Sequence, residues 1–420
     1  MQQPTKKSTN RSGLITALDV GTTKIACFIA RQVGNEEAEV IGVGHQVSRG
    51  VRNGNIIDMV AAEDSIRATV EAAEQMAGEN VHDVILCVSG VIPESKLISF
   101  DVAISGNEIT SADFKRALDP TWLHSQQGDN RQIIHTLPLA YTIDGNPGVK
   151  DPRGMFGEKL GVNMHVITAS ASALRNISAC VNRCHLDVER QVVGSYASGL
   201  SCLVEDEKEL GVICIDMGGG TTDISVFFDG EVIYTNSVPI GGNHVTNDIA
   251  RGLSTSVTYA ERMKTLYGSV VPSASDDQEV IKVPLVGEVD DGENQIPRSM
   301  LIGIIRPRIE EIYELVREKL EPTGFERAGA RRVVLTGGGS QLTGVRELAS
   351  EMMDKQVRLG KPNYIKGLAE SVGGAAFAAP AGLIQFILNE RKSISMASIN
   401  DIEMPNNQLA RMRKWFRENI

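Results

Sequence analysis

The chain has 420 residues and a mass of 45.4 kDa, more than one hydrophobic core usually organises, so two or more domains are expected. A composition of 42% apolar and 23% charged residues, with 41 Gly and 15 Pro, excludes collagenous, largely disordered and disulfide-scaffold classes. Its 42 Lys and Arg stand against 53 Asp and Glu, a net charge of −11, so the broad basic face that phosphate-backbone contacts need is missing and no nucleic-acid partner is expected.

Residues 1–12 are polar and read as a disordered N-terminus. The apolar stretch after them is broken by Asp19 and Lys24, so no secretory leader is expected. Residues 14–18 form an apolar strand, followed by the turn Asp19-Val20-Gly21-Thr22-Thr23-Lys24 and a second strand at 25–30. Apolar periodicity predicts helices over 61–76 and 173–184. Cys180 and Cys184 in the latter sit four apart, the spacing of one helix face, and Cys180, Cys184 and His185 miss the haem-attachment pattern by one residue. All six cysteines lie mostly in apolar runs, the setting of buried, reduced thiols in a cytoplasmic protein.

Half a chain further on, the first hairpin recurs. A strand at 211–215 leads into Asp216-Met217-Gly218-Gly219-Gly220-Thr221-Thr222-Asp223 and then a strand at 224–228, which suggests two related domains facing one another. Helices follow at 243–253 and 307–320. A strand at 332–335 enters a third Gly-rich turn, Thr336-Gly337-Gly338-Gly339-Ser340, before a helix at 342–353. Strands alternating with helices place the chain in the α/β class. The 17-residue uncharged run 372–388 falls short of the ~20 apolar residues of a membrane span, and Pro380 and Gln385 interrupt it; a buried helix is the reading. Residues 389–408 are polar and read as a flexible linker.

A Gly-rich turn between strands lets backbone N–H groups converge on an anion, and Thr hydroxyls and Lys24 add donors suited to phosphate oxygens. The acid heading each turn cannot bind phosphate directly. It can hold Mg²⁺ through water, because Mg²⁺ keeps several waters alongside one or two carboxylates and phosphate oxygens.

The three turns resemble the nucleotide motifs of the actin/Hsp70/sugar-kinase superfamily. That resemblance implies an actin-like ATPase fold, two related domains around a nucleotide cleft, with ATP and Mg²⁺ as cofactors. It assigns Asp19 and Asp216 a catalytic role through Mg²⁺. It gives Gly21, Thr22, Thr23 and Lys24, with Gly218, Gly219, Gly220, Thr221 and Thr222, the β- and γ-phosphates. Gly337, Gly338, Gly339 and Ser340 are placed beside adenosine. Ala260-Glu261-Arg262-Met263-Lys264 is similar to the superfamily's ribose-contacting helix, with Glu261 and Lys264 one turn apart and on one side.

Within the superfamily, the segment Ser48-Arg49-Gly50-Val51 to Gly54-Asn55-Ile56-Ile57-Asp58 and the landmarks Gln132-Ile133-Ile134-His135-Thr136-Leu137-Pro138 and Asp151-Pro152-Arg153-Gly154-Met155 resemble the bacterial cell-division family FtsA. The likeness runs over nearly all the chain. It implies a first core domain at 13–88 and 166–203, a relocated FtsA-type subdomain at 89–165, a second core domain at 204–240 and 304–388, and a small upper domain at 241–303. It further implies a protein that polymerises at the cytoplasmic face of the inner membrane at the division site, tethers FtsZ there and helps recruit later division proteins. Gln295-Ile296-Pro297-Arg298-Ser299-Met300 resembles the segment where an acidic C-terminal peptide of FtsZ docks, which points to Arg298. Where actin carries a water-positioning Gln, residues 193–198 here hold neither amide nor carboxylate, so hydrolysis is expected to be slow at most. A pilus-assembly or rod-shape actin homologue is the alternative, and a small-molecule kinase is a more distant one.

Residues 409–420 carry a message of their own. On a helical wheel Leu409, Met412, Trp415, Phe416 and Ile420 fall within an arc of about 140°, with Arg411, Arg413, Lys414 and Arg417 on the remainder. A basic amphipathic segment with aromatics at the edge of its apolar stripe is the pattern of a helix lying on an anionic membrane surface.

Overall fold

The computed structural model of the chain describes residues 13–34, 37–104, 108–118, 130–286, 294–324, 331–363 and 365–403, with backbone only from 393 onward. Two five-stranded sheets dominate it. In the first, Asp187–Val193, Asp83–Val88 and Leu14–Val20 run parallel, and Lys24–Val33 and Glu37–Val47 follow antiparallel. In the second, Gln356–Leu359, Arg332–Thr336 and Val212–Met217 run parallel, and Thr222–Phe228 and Glu231–Val238 follow antiparallel. The two sheets share one topology. The repeat seen in two turns is therefore a repeat of whole units, with each hairpin at the same place in its sheet.

Apart from Thr16, Asp19 and Asp216, the central strands are apolar and buried on both faces, as strands covered by helices must be. Met59–Ala77 covers the first sheet. It starts where Asp58 accepts from the backbone N–H groups of Val60 and Ala61 and ends at Gly78, whose φ of 68° suits a left-handed cap. Between the sheets' contributions lies a separate four-stranded sheet, Glu94–Ala103, Lys159–Ser170, Arg131–Ile143 and Asn146–Val149. Its His165 is buried, with Nδ1 2.7 Å from the Val232 carbonyl and Nε2 2.8 Å from the Ser95 hydroxyl; Ser95 in turn accepts from Thr235 N at 2.7 Å. That seam stitches the inserted sheet to the outer strand of the second core sheet.

Two expected boundaries differ. The helix placed at 307–320 begins at Arg298 and runs to Leu320, with Pro307 inside it, so the domain boundary drawn at 303 to 304 falls within one helix. Leu301, Ile302 and Ile305 are buried by that extra length, and their burial outweighs the roughly 3 kcal/mol an interior proline costs. The buried helix read in the uncharged run 372–388 starts at Ala378 and continues to Glu403, into the stretch read as a linker. Residues 389–403 contain neither Gly nor Pro to break it. Among the described residues no helix is long and apolar enough to cross a membrane. The membrane-surface segment 409–420 lies outside the described residues.

Candidate functional site

Both hairpin turns close in the same way. Gly21 N donates to the Lys24 carbonyl at 3.1 Å, and Gly218 N donates to the Thr221 carbonyl at 2.9 Å. The turns meet tip to tip. A Cβ on Gly219 would fall 1.8 Å from Thr23 Oγ1, and one on Gly220 would fall 2.6 Å from Thr22 Oγ1 and 2.8 Å from Asn53 Cα. Only glycine permits that approach. The helix Gly242–Gly252 packs its first N–H groups on the second turn, Gly242 N to Gly218 O at 2.9 Å and Asn243 N to Gly219 O at 2.8 Å.

Around this contact lies a cleft of about 560 Å³, lined by Asp19, Gly21, Thr22, Thr23, Lys24, Asp216, Gly218, Gly219, Gly220, Thr221, Glu261, Lys264, Gly337, Gly338 and Gly339. Two predicted residues stand outside that lining. Strand alternation turns Thr222 away, and its hydroxyl donates to the Ile240 carbonyl at 2.8 Å. Ser340 is buried and donates to the Gly337 carbonyl at 2.7 Å, closing the turn.

At one end of the cleft Asp19 and Asp216 each occupy the last position but one of their strands. Burial pushes the Asp19 carboxyl above its usual range, opposed by Lys24 and by a hydrogen bond from the Cys87 thiol. Burial also pushes Asp216 up to about 7; a bond from the Ser198 hydroxyl works against it, and Asp223 and Asp19 add repulsion. Asp223, pushed up to about 6 chiefly by burial, takes hydrogen bonds from the hydroxyls of Ser237, Thr221 and Ser89. Burial lowers Lys24, against the pull of both aspartates. Its ammonium donates to the Ala376 carbonyl and sits 3.5 Å from the centroid of the Phe377 ring.

At the other end, Lys264 Nζ lies 2.7 Å from Glu261 Oε2, 2.8 Å from Thr246 Oγ1 and 3.2 Å from the Gly242 carbonyl. Val245, Ile309, Ile312 and Leu342 supply an apolar wall beside the third Gly-rich turn. Gly337 there has φ +82°, and a Cβ on it would fall 2.2 Å from Asp216 Oδ1. The cleft thus has a charged, Gly-lined end and an apolar end, which suits an elongated ligand bearing phosphates on one side and a flat ring on the other.

The set fits Mg²⁺. Three buried carboxylates share one nearby ammonium, so a polyphosphate entering among them needs further positive charge. Among the described residues no three His, Cys, Asp or Glu side chains converge to enclose a metal.

Sequence reasoning gave no role to Ser198, Asp223 or Ala376. Asp223 was legible as the acid ending its turn. Ser198 and Ala376 carried no signal, since their contacts join segments far apart in the chain. Arg298 lies away from the cleft and already has partners: Asp276 Oδ1 at 2.7 Å, Glu279 Oε2 at 3.5 Å and the Tyr267 carbonyl at 2.9 Å.

A family model described as "Cell division protein FtsA" matches residues 213–382, and one described as "SHS2 domain inserted in FTSA" matches 91–168. The chain is 42% identical over 423 residues to the cell division protein FtsA of Rhizobium meliloti, covering 98% of this chain and 96% of that one. It is 36% identical to the FtsA of Pseudomonas aeruginosa, over 97% and 98% of the two chains, and 32% identical to that of Escherichia coli K12, over 90% and 91%. Among solved structures, a chain of a PilM–PilN type IV pilus biogenesis complex shares the fold at a TM-score of 0.63 and 16% identity, covering 88% of this chain and 97% of that one. MreB5 of Spiroplasma citri bound to ADP does so at 0.55 and 15%, covering 91% and 98%. The fold is that of the actin-like ATPases, with the inserted subdomain typical of FtsA, and the chain belongs to the FtsA family of cell-division proteins.

Proposed function

We propose that the cleft holds ATP with Mg²⁺, and that the nucleotide-bound chain assembles into filaments on the cytoplasmic face of the inner membrane. There it anchors FtsZ through that protein's C-terminal peptide and helps recruit later division proteins. The observation that supports this most is the tip-to-tip contact of two Gly/Thr turns with Asp19, Asp216 and Lys24 behind them.

Each residue then has a task. Backbone N–H groups of Gly21 to Lys24 and of Gly218 to Thr221 orient the phosphates, and the hydroxyls of Thr22, Thr23 and Thr221 add donors. Lys24 exchanges the Ala376 carbonyl for a phosphate oxygen, a stronger, charge-assisted partner. Asp19 and Asp216 would hold Mg²⁺, which would supply charge neutralisation at the phosphates. Glu261 and Lys264 flank the ribose, and Gly337 to Gly339 the base. Hydrolysis is slow, because no residue of 191–203 reaches the cleft lining to orient an attacking water. The amphipathic segment 409–420 is the membrane anchor.

Asp216→Ala tests the nucleotide reading. Calorimetry should show Mg²⁺-dependent ATP affinity falling at least tenfold in a variant that still melts cooperatively. An unchanged affinity in the folded variant removes the second turn from the site.

A further inference from the structure

A second cavity, of about 360 Å³, opens directly outside the phosphate turns. Thr22 and Asn243 line both cavities, so the two are continuous at the turn tips. Its remaining lining includes Arg52 and Asn53 from one side, and His244, Asn247, Asp248, Arg251 and Arg308 from the other.

The two sides come from different halves of the molecule. Arg52 lies on a short two-stranded loop, Val51–Arg52 with Asn55–Ile56, that is fixed by close backbone packing: a Cβ on Gly54 would fall 2.2 Å from the Ser89 carbonyl oxygen. Gly54 N also donates to Thr22 Oγ1 at 3.0 Å, which ties the loop to the first phosphate turn. His244, Asn247, Asp248 and Arg251 sit at i, i+3, i+4 and i+7, one face of the helix Gly242–Gly252.

Charge in this cavity is unbalanced. Arg308 is matched, with Nε 2.5 Å and Nη2 3.1 Å from the two oxygens of Asp248 and Nη1 on Glu311. Neither Arg52 nor Arg251 has an ion pair among the described residues. Two guanidinium groups without an ion pair among the described residues thus line one cavity from opposite halves, among the amides of Asn53, Asn243 and Asn247, with one carboxylate that is already used.

We propose that this cavity binds a phosphate-class oxyanion between Arg52 and Arg251, as the first station outside the phosphate turns. A guanidinium presents its donors in a planar fork that matches phosphate oxygens, and two forks on opposed walls take one tetrahedral anion from both sides. Because the walls belong to different halves, the bound anion also holds the cleft closed. The ligand is either phosphate from solution or the phosphate displaced from a nucleotide in the adjoining cleft. The second source alone rests on the nucleotide reading above.

Inorganic phosphate titrated calorimetrically into the full chain is the test, once without nucleotide and once with saturating ADP and Mg²⁺. Arg52→Gln with Arg251→Gln should weaken phosphate binding at least tenfold in both arms. Both side chains are exposed and, among the described residues, without an ion pair, so the urea midpoint and ADP affinity of this variant should match the parent and serve as its folding control. Equal phosphate affinity with and without ADP identifies solution phosphate as the ligand; tighter binding with ADP identifies the displaced phosphate. No phosphate binding by the parent chain, or binding that the double variant leaves unchanged, overturns the proposal. A failure to bind ADP in the same titration would instead count against the nucleotide reading and leave the nucleotide-free arm to decide this one.

Discussion

Gly337 is the position where the third turn presses hardest on the second, and Gly337→Ala puts a number on that contact. Its φ of +82° costs an L-residue about 1–2 kcal/mol. The new methyl carbon would also stand 2.2 Å from Asp216 Oδ1 and 2.6 Å from the Met217 carbonyl oxygen, where ordinary contact begins near 3.4 Å. The carboxylate must therefore retreat by about 1 Å, and its other oxygen then loses the hydroxyl of Ser198, a charged hydrogen bond of about 1.5–3 kcal/mol. Together these predict a loss of about 2.5–5 kcal/mol. Urea unfolding of the parent, Gly337→Ala, Ser198→Ala and the double variant measures it. If the steric push acts through Asp216, the two changes overlap, and the double variant should be at least about 1 kcal/mol more stable than additivity allows. A Gly337→Ala variant within about 0.5 kcal/mol of the parent, or strict additivity, refutes the coupling of turn to carboxylate.

Burial depresses His165 to about 4, so the folded chain favours its neutral form. Its contribution is whole above the ordinary value of 6.5 and drains away as pH falls toward 4. His165→Gln should flatten the fall of the thermal midpoint across that window, and an unaltered slope would discount the seam it makes with Val232 and Ser95. Arg298→Ala should cost about 2–3 kcal/mol by stranding Asp276, whose side chain is only 2% exposed; a loss under about 0.5 kcal/mol in chemical unfolding shows the pair to be dispensable. Arg298→Glu should weaken FtsZ C-terminal peptide binding at least tenfold, about 1.4 kcal/mol. If Arg298→Ala reproduces that loss in proportion to its loss of stability, Arg298 acts by shaping the loop rather than by touching the peptide. In vesicle co-sedimentation, Trp415→Glu should release the chain from anionic lipid at every salt concentration, since burying an aromatic contributes ~1.5–3 kcal/mol. Arg413→Ala with Lys414→Ala should release it mainly as salt rises, and binding that survives deletion of 409–420 places the anchor elsewhere.

What the sequence displayed of this fold was whatever is local. The hairpins at Asp19 and Asp216 are contiguous in the chain, and glycine, threonine and apolar runs announce them without reference to anything distant. Covalent distance hid the rest. Ser198 reaches Asp216 only because the helix Gly194–Cys202 is laid against the second sheet, and nothing in Ser-Tyr-Ala-Ser specifies that packing. Thr222 lies outside the cleft lining for a different reason. Composition says how many hydroxyls a turn offers, but the pleat decides which face each one takes. Helix limits at Arg298 and Glu403 were missed because Pro307 and a polar stretch weigh heavily in local propensity, whereas burial and the absence of a breaker decide the outcome.

The helix Ala378–Glu403 has a mechanical consequence. At 26 residues it is a rod of about 39 Å, and its root is keyed into the core. A Cβ on Gly382 would lie 1.7 Å from the Ala197 carbonyl oxygen, so it rides backbone against backbone on the helix that carries Ser198. Just before it, Ala376 and Phe377 grip the ammonium of Lys24. A slack segment would dissipate tension, whereas a stiff rod rooted here would pass torque to the Ala376 carbonyl and the Phe377 ring that hold Lys24. Force applied at the far end of the helix and displacement of Lys24 in the cleft would thereby bear on the same few atoms.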